Sequence, residues 1–257
     1  MPTRDGYLQG VPSWADLVTP DVAGAKAFYA ELFGWDYREG GTDSMPYIMA
    51  HRNGLAAAGI GEMPEDSEMP TVWSTYFAVD DVDRTVAEII DNGGSIMMGP
   101  MDVFDAGRMA FAFDPTGAVF GIWQAGDHFG AAIVNEHGAM NWNELLSGDL
   151  DKVLPFYEAV FGHTYETSEG PSGPYTAISA GDRVVAGAMP KPSAEIPNHW
   201  GVYFAVDDTA EAISTTTTNG GQVVYGPMDV PKVGIFAGLT DPFGAHFTVI
   251  QLAQPVD

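Results

Sequence analysis

The chain has 257 residues, 46% of them apolar and 18% charged, which suits two domains that each bury a core and does not suit disorder. Its 35 Asp and Glu against 10 Lys and Arg leave a net charge of −25, a poor match for nucleic acid or for an anionic membrane surface. Cysteine is absent, so disulfides, thiolate catalysis and thiolate metal sites are excluded.

Residues 1–10 read as a loose leader without the charged-then-apolar pattern of a signal peptide, and no apolar run reaches the length of a membrane span. A cytoplasmic protein, monomer or homodimer, is the expectation. Residues 13–18 read as a strand, and Thr19, Pro20 and Asp21 supply the cap of a helix. Ala25, Phe28, Tyr29, Leu32 and Phe33 form its apolar stripe, and Gly34 is its expected stop. Three short strands follow near 35–38, 46–51 and 55–60, separated by Gly, Pro and Asn turn signals. The order is βαβββ, and it recurs. A strand over 72–79 leads to a helix over 82–92 ended by Gly93 and Gly94, then to strands near 95–98, 108–113 and 118–123. Asp114 to Gly117 makes the last turn.

The second half repeats the first. Trp73 to Asp81 returns as Trp200 to Asp208 with seven of nine residues identical, Gly99 to Val103 returns unchanged as Gly226 to Val230, and Trp14 to Tyr37 returns as Trp142 to Tyr165. Offsets of 127 and 128 exceed the roughly 20–50 residues of solenoid and propeller units, so this is a duplicated domain. Its first helix carries Val153, Phe156, Tyr157, Val160 and Phe161 on one face and stops at Gly162. Residues 125–138 read as a linker, which divides the chain into domains 1–127 and 128–257. The loops 62–70 and 190–198 join modules within each domain, as plain connectors or as lids.

The stretches Ala27 to Gly34 and Pro155 to Gly162, the turns Asp114 to Gly117 and Asp241 to Gly244, the Val-Asp-Asp strand ends and the Gly-Gly pairs resemble the vicinal oxygen chelate superfamily. That group holds glyoxalase I, bleomycin-resistance proteins and extradiol dioxygenases, and the likeness is nearest to paired-domain members labelled glyoxalase-like. The resemblance implies an α+β fold: four βαβββ modules forming two tandem domains, each a curled mixed sheet with flanking helices. The metal enzymes of the group take one ligand from the first and one from the last strand of each module, usually His, Gln or Glu. Counting from the Phe-Tyr helices puts these positions at Trp14, Gly59, Ser74 and Gly121, and at Trp142, Gly187, Gly201 and Thr248. None is a normal ligand, and glycine has no side chain to offer, so no metal and no other cofactor is expected.

Strand alternation brings further residues to the same cleft faces. The first cleft gathers Trp14, Asp16, Ser74, Tyr76 and Trp123; the second gathers Trp142, Glu144, His199, Tyr203 and His246. Asp16 and Glu144 are matched acids whose burial would raise their pKa and suit a general base. Trp14, Trp142, Tyr76 and Tyr203 could stack on a flat ligand or simply pack. His199 and His246 replace Val72 and Val119, so with Glu144 they could form an acid–base set or a displaced metal site. Arg108 either balances an acid such as Asp105 or clamps an anion. Trp73, Trp200, Tyr29 and Tyr157 read as packing, and His51, His128, His137 and His163 suggest no role. Three readings stay open: a metal-independent binder of a small organic metabolite, an enzyme of the same fold using Asp16 or Glu144 as base, and an interaction protein whose clefts are filled by its own side chains. A displaced metal site in the second domain is a further variant of the enzyme.

Overall fold

The computed structural model describes residues 3–42, 45–170 and 173–254. The first module runs β1 (Pro12–Thr19), α1 (Val22–Phe33), β2 (Asp36–Thr42), β3 (Met45–Arg52) and β4 (Leu55–Glu62). The second runs β5 (Val72–Ala78), α2 (Val82–Asp91), β6 (Ser95–Val103), β7 (Gly107–Phe113) and β8 (Val119–Ala125). The third is β9 (Met140–Ser147), α3 (Leu150–Phe161), β10 (Thr164–Gly170), β11 (Gly173–Ala180) and β12 (Arg183–Pro190). The fourth is β13 (His199–Ala205), α4 (Thr209–Thr218), β14 (Gln222–Val230), β15 (Gly234–Thr240) and β16 (His246–Leu252).

Each helix starts on an aspartate from the repeat. The side chains of Asp21, Asp81, Asp149 and Asp208 accept backbone N–H groups of the first turn, which would otherwise have no partner. Gly34 and Gly162 end α1 and α3 in the left-handed conformation that a side chain disfavours. The acidic composition is therefore partly a capping device.

The strands form two eight-stranded mixed sheets, ordered β2-β3-β4-β1-β5-β8-β7-β6 and β10-β11-β12-β9-β13-β16-β15-β14, and each curls into a half-barrel. At the centre of each, two antiparallel first strands are flanked by parallel last strands. Alternation then divides every central strand. Trp14 and Asp16 face one side of β1, and Ala15 and Leu17 face the core on the other.

The sheets pack back to back. The core joins α1, through Phe28, Tyr29, Leu32 and Phe33, to Phe204, Leu239, Phe247 and Val249 of the second sheet. A matching core joins α3, through Phe156, Tyr157, Val160 and Phe161, to Phe77, Phe120 and Ile122 of the first. Between β5 and β9, Thr75 donates a buried hydrogen bond to Asn143 over 2.8 Å.

Tyr29 and Tyr157, read from the sequence as packing, also bond across the domains. The Tyr157 hydroxyl donates to Asp114 over 3.0 Å and accepts from the Trp200 indole over 2.7 Å. Tyr29 does the same with Asp241 and Trp73, over 3.1 and 2.9 Å. The leader is not loose over its described residues. Arg4 and Tyr7 bond the linker at Ala132 and Ala131, and the His163 ring bonds the Gly10 carbonyl over 2.7 Å.

Replacing Tyr157 by Phe leaves a buried carboxylate oxygen and a buried indole N–H unpaired. The expected cost is about 1–3 kcal/mol, read as a melting midpoint lowered by several degrees. An unchanged midpoint would show that the cross-domain bond carries no net stability.

Candidate functional site: two phenol–carboxylate clefts

The strand register decides which side chains meet. Asp16 lies opposite Gly59 on β4 and Ser74 on β5, and Tyr76 lies opposite Gly121 on β8. In the second sheet Glu144 lies opposite Gly187 and Gly201, and Tyr203 opposite Thr248. The residues that face the glycines are thus Asp16, Tyr76 and Glu144, while Tyr203 faces Thr248. Of the positions mapped from the sequence, Ser74 and Gly201 lie opposite the two acids, while Trp14 and Trp142 lie opposite Tyr76 and Tyr203.

Asp16 is 7% exposed. One carboxylate oxygen accepts the hydroxyls of Tyr76 at 2.8 Å and Tyr47 at 3.2 Å, and the other has no hydrogen-bond partner. The Tyr47 hydroxyl in turn accepts the Trp14 indole N–H at 2.8 Å. Burial raises the Asp16 pKa from 3.8 to about 6, and the hydroxyls of Tyr76, Tyr47 and Ser74 hold it from rising further. The same carboxylate and the same burial push the Tyr47 and Tyr76 phenols up, so they remain protonated donors.

The second cleft repeats the arrangement. Tyr203 donates to Glu144 over 2.6 Å, and the Trp142 indole donates to the Tyr175 hydroxyl over 3.0 Å. Burial raises the Glu144 pKa, opposed by bonds from Tyr203 and Tyr175. Tyr225 extends the chain, with its hydroxyl 2.8 Å from that of Thr248.

Three of the four cleft glycines are not open room, whereas a Cβ on Gly201 would meet nothing nearer than 3.7 Å. A Cβ on Gly59 would strike the Tyr47 hydroxyl, one on Gly187 the Tyr175 hydroxyl, and one on Gly121 the Tyr76 ring. Tyrosines fill the positions that the glycines vacate. Tyr47 and Tyr175 escaped the sequence reading, although Pro46-Tyr47 returning as Pro174-Tyr175 marks them in the repeat.

The remaining candidates divide. Trp14 is 4% exposed and meets the His128 ring edge-on at 4.5 Å. Trp123 is buried and donates to the His128 carbonyl over 2.7 Å. His128, passed over in the sequence, is therefore part of the first cleft, and burial lowers its pKa to about 4. His199 and His246 approach with ring centroids 6.5 Å apart, and burial, with His199 nearby, lowers the His246 pKa to about 4. Tyr203 bonds Glu144 over 2.6 Å, and the Tyr225 ring lies against His246 at 6.0 Å. Among the described residues no three His, Cys, Asp or Glu side chains are grouped to hold a metal, so the displaced metal set is corrected. Arg108 is engaged by Asp83 at 2.9 Å and by Asp102 at 2.8 Å, carboxylates other than the expected Asp105.

The chain belongs to the glyoxalase/bleomycin resistance protein/dioxygenase superfamily, whose family model matches residues 12–122 and again 139–249. It is 48% identical over 262 residues to CFP32 of Mycobacterium tuberculosis, provisionally named a glyoxylase, covering 98% of this chain and 99% of that one. It is 33% identical over 270 residues to the anthracycline biosynthesis protein DnrV of Streptomyces peucetius, covering 96% and 95%. In fold it is similar to the Mn(II)-bound glyoxalase of Novosphingobium aromaticivorans, with a TM-score of 0.66 at 16% identity over 97% of this chain and 85% of that one. Among the described residues no helix is long and apolar enough to cross a membrane.

The metal expected from the fold family does not fit these residues. Each cleft offers one carboxylate already bonded by a phenol, and the facing positions are glycine, serine, tyrosine or threonine. Protonated phenols with pKa values pushed up are poor ligands for a divalent ion.

The folded Asp16 carboxyl holds its proton more tightly than the unfolded one, so the native state binds the extra proton between about pH 4 and pH 6. Stability is then highest below that window and falls as pH rises through it. The Asp16→Asn variant lacks this loss. Its stability relative to the wild type is expected to rise by on the order of 3 kcal/mol between pH 4 and pH 7, read from denaturant midpoints. A pH-independent difference would place the Asp16 pKa at its ordinary value.

Proposed function

We propose that the protein binds a small, flat organic metabolite bearing hydroxyl or keto groups, without a metal, on the indole–phenol–carboxylate face of its cleft. The observation that carries this reading is the buried carboxylate held by tyrosine hydroxyls at the place where the sheet's central strands meet. Phenol hydroxyls and a carboxyl group offer donors and acceptors at fixed positions, and the indole and phenol rings supply flat apolar walls. The name of DnrV, which ties that relative to anthracyclines, supports a polycyclic aromatic ligand. The name of CFP32 points instead toward glyoxalase-type chemistry.

A second reading rests on one observation. Asp16, with its pKa raised to about 6, is poised to take a proton near neutral pH. On this reading Asp16 or Glu144 abstracts a proton from bound substrate, and the neighbouring tyrosine hydroxyls stabilise the negative charge that develops.

The test uses 1,8-dihydroxyanthraquinone as probe and tryptophan fluorescence as readout. Saturable quenching that survives EDTA and weakens about tenfold in Tyr203→Phe, equivalent to about 1.4 kcal/mol, is the expected result. Binding that requires an added divalent ion, or no saturable binding, would overturn the reading. Turnover lost in Glu144→Gln or Asp16→Asn with affinity retained would favour the second reading.

A further inference from the structure

The two clefts share a carboxylate and two tyrosines but differ in what surrounds them. In the first, Trp14, Tyr76, Trp123, Ala131 and Val134 form a buried apolar cluster, packed against Met49, Met109 and Phe111. Ala131 and Val134 belong to the segment between the domains. That segment is pinned to the sheet, with Ala131 N–H on the Ser13 carbonyl at 2.8 Å and Ala132 N–H on the Ala56 carbonyl at 2.8 Å. It also carries His128, whose ring lies edge-on to Trp14 at 4.5 Å and to Trp123 at 5.8 Å. The linker is a plug that the chain supplies to its own first cleft.

The second cleft has no matching cluster among the described residues. Trp142, the counterpart of Trp14, is half-buried and has no ring packed on it among the described residues. Met49, which packs against the first-cleft cluster, becomes the smaller Ala177 at the repeat offset. The polar groups are also unequal. Met98, Gly121, Val119 and Val72 become Tyr225, Thr248, His246 and His199. Tyr225 and Thr248 bond each other at 2.8 Å and continue the row begun by Glu144 and Tyr203.

We infer that ligand binds only in the second cleft, one molecule per chain, with Trp142 as its flat wall and with Tyr225, Thr248 and His246 supplying hydrogen bonds that the first cleft lacks. The first domain is then a structural half, its cleft closed by the linker. The ligand class is an uncharged planar compound with oxygen functions along one edge, which suits a row of hydroxyls and a neutral imidazole. This assignment rests on the binding function proposed above.

Two measurements test it. Calorimetric titration with 1,8-dihydroxyanthraquinone is expected to give one equivalent per chain, with affinity weakened about tenfold by Tyr225→Phe and also by His246→Gln. Two equivalents per chain, or a single equivalent indifferent to both substitutions, would overturn the assignment while leaving binding itself established. Absence of saturable binding would remove the proposed function and this assignment together. The cysteine-free chain also permits a test without ligand. Ala177→Cys is expected to react with a maleimide at least tenfold faster than Met49→Cys in the folded protein. Equal rates would show that the first cleft is as open as the second.

Discussion

A carboxylate on a sheet face stripped of water must find donors or stay protonated, and the cleft of each domain is arranged around that demand. Asp16 meets it with Tyr76 and Tyr47, Glu144 with Tyr203. An unpaired buried carboxylate costs several kcal/mol, so the tyrosines are as necessary as the acid. Their bulk imposes the next constraint. Tyr47 and Tyr175 fit only because β4 and β12 carry glycine where the rings cross. One acid thus dictates two aromatic residues and a glycine from strands distant in sequence.

The same pairing recurs in the core, with a different result. Tyr157 with Asp114 and Tyr29 with Asp241 are phenol–carboxylate pairs, each also joined to a tryptophan N–H. The tyrosine–aspartate bonds join the two halves, α3 to the β7–β8 turn and α1 to the β15–β16 turn. The Asp-Pro turn that carries each acid also uses it to hold its own backbone, as when Asp114 accepts the N–H groups of Thr116 and Ala118. The core pairs fasten one domain to the other and face no cleft. Burial and hydrogen bonding alone therefore do not single out Asp16 and Glu144; they differ from the core acids by their position on the cleft face of β1 and β9.

Much of the fold was legible because its signals are local. The stripe Phe28, Tyr29, Leu32 and Phe33, the capping aspartates and the glycine stops lie within one turn or one helix of the elements they define. The repeat made the same reading twice, and strand parity placed Asp16 and Glu144 on the cleft face. What escaped depends on pairing between strands. The register of β1 against β4 and β5 sets Asp16 between Gly59 and Ser74 and Trp14 opposite Tyr76, which spacing along one strand does not give. Tyr47 enters from β3, and no periodicity shows where its hydroxyl ends. His128 sits in a segment whose composition reads as linker, yet the segment is bonded to β1 and covers Trp14. Arg108 finds Asp83 on another element, which spacing along the chain does not reveal.

The proposed reading has phenols and a carboxylate, without an ion, present the binding groups of the cleft. Titration of the metal-free protein into Mn(II), followed by the electron paramagnetic resonance signal of the free aqueous ion, tests this most directly. The account predicts that the free-ion signal stays undiminished at protein concentrations up to the millimolar range. Stoichiometric loss of that signal, restored by Asp16→Asn or Glu144→Gln, would contradict it and return a metal to the cleft.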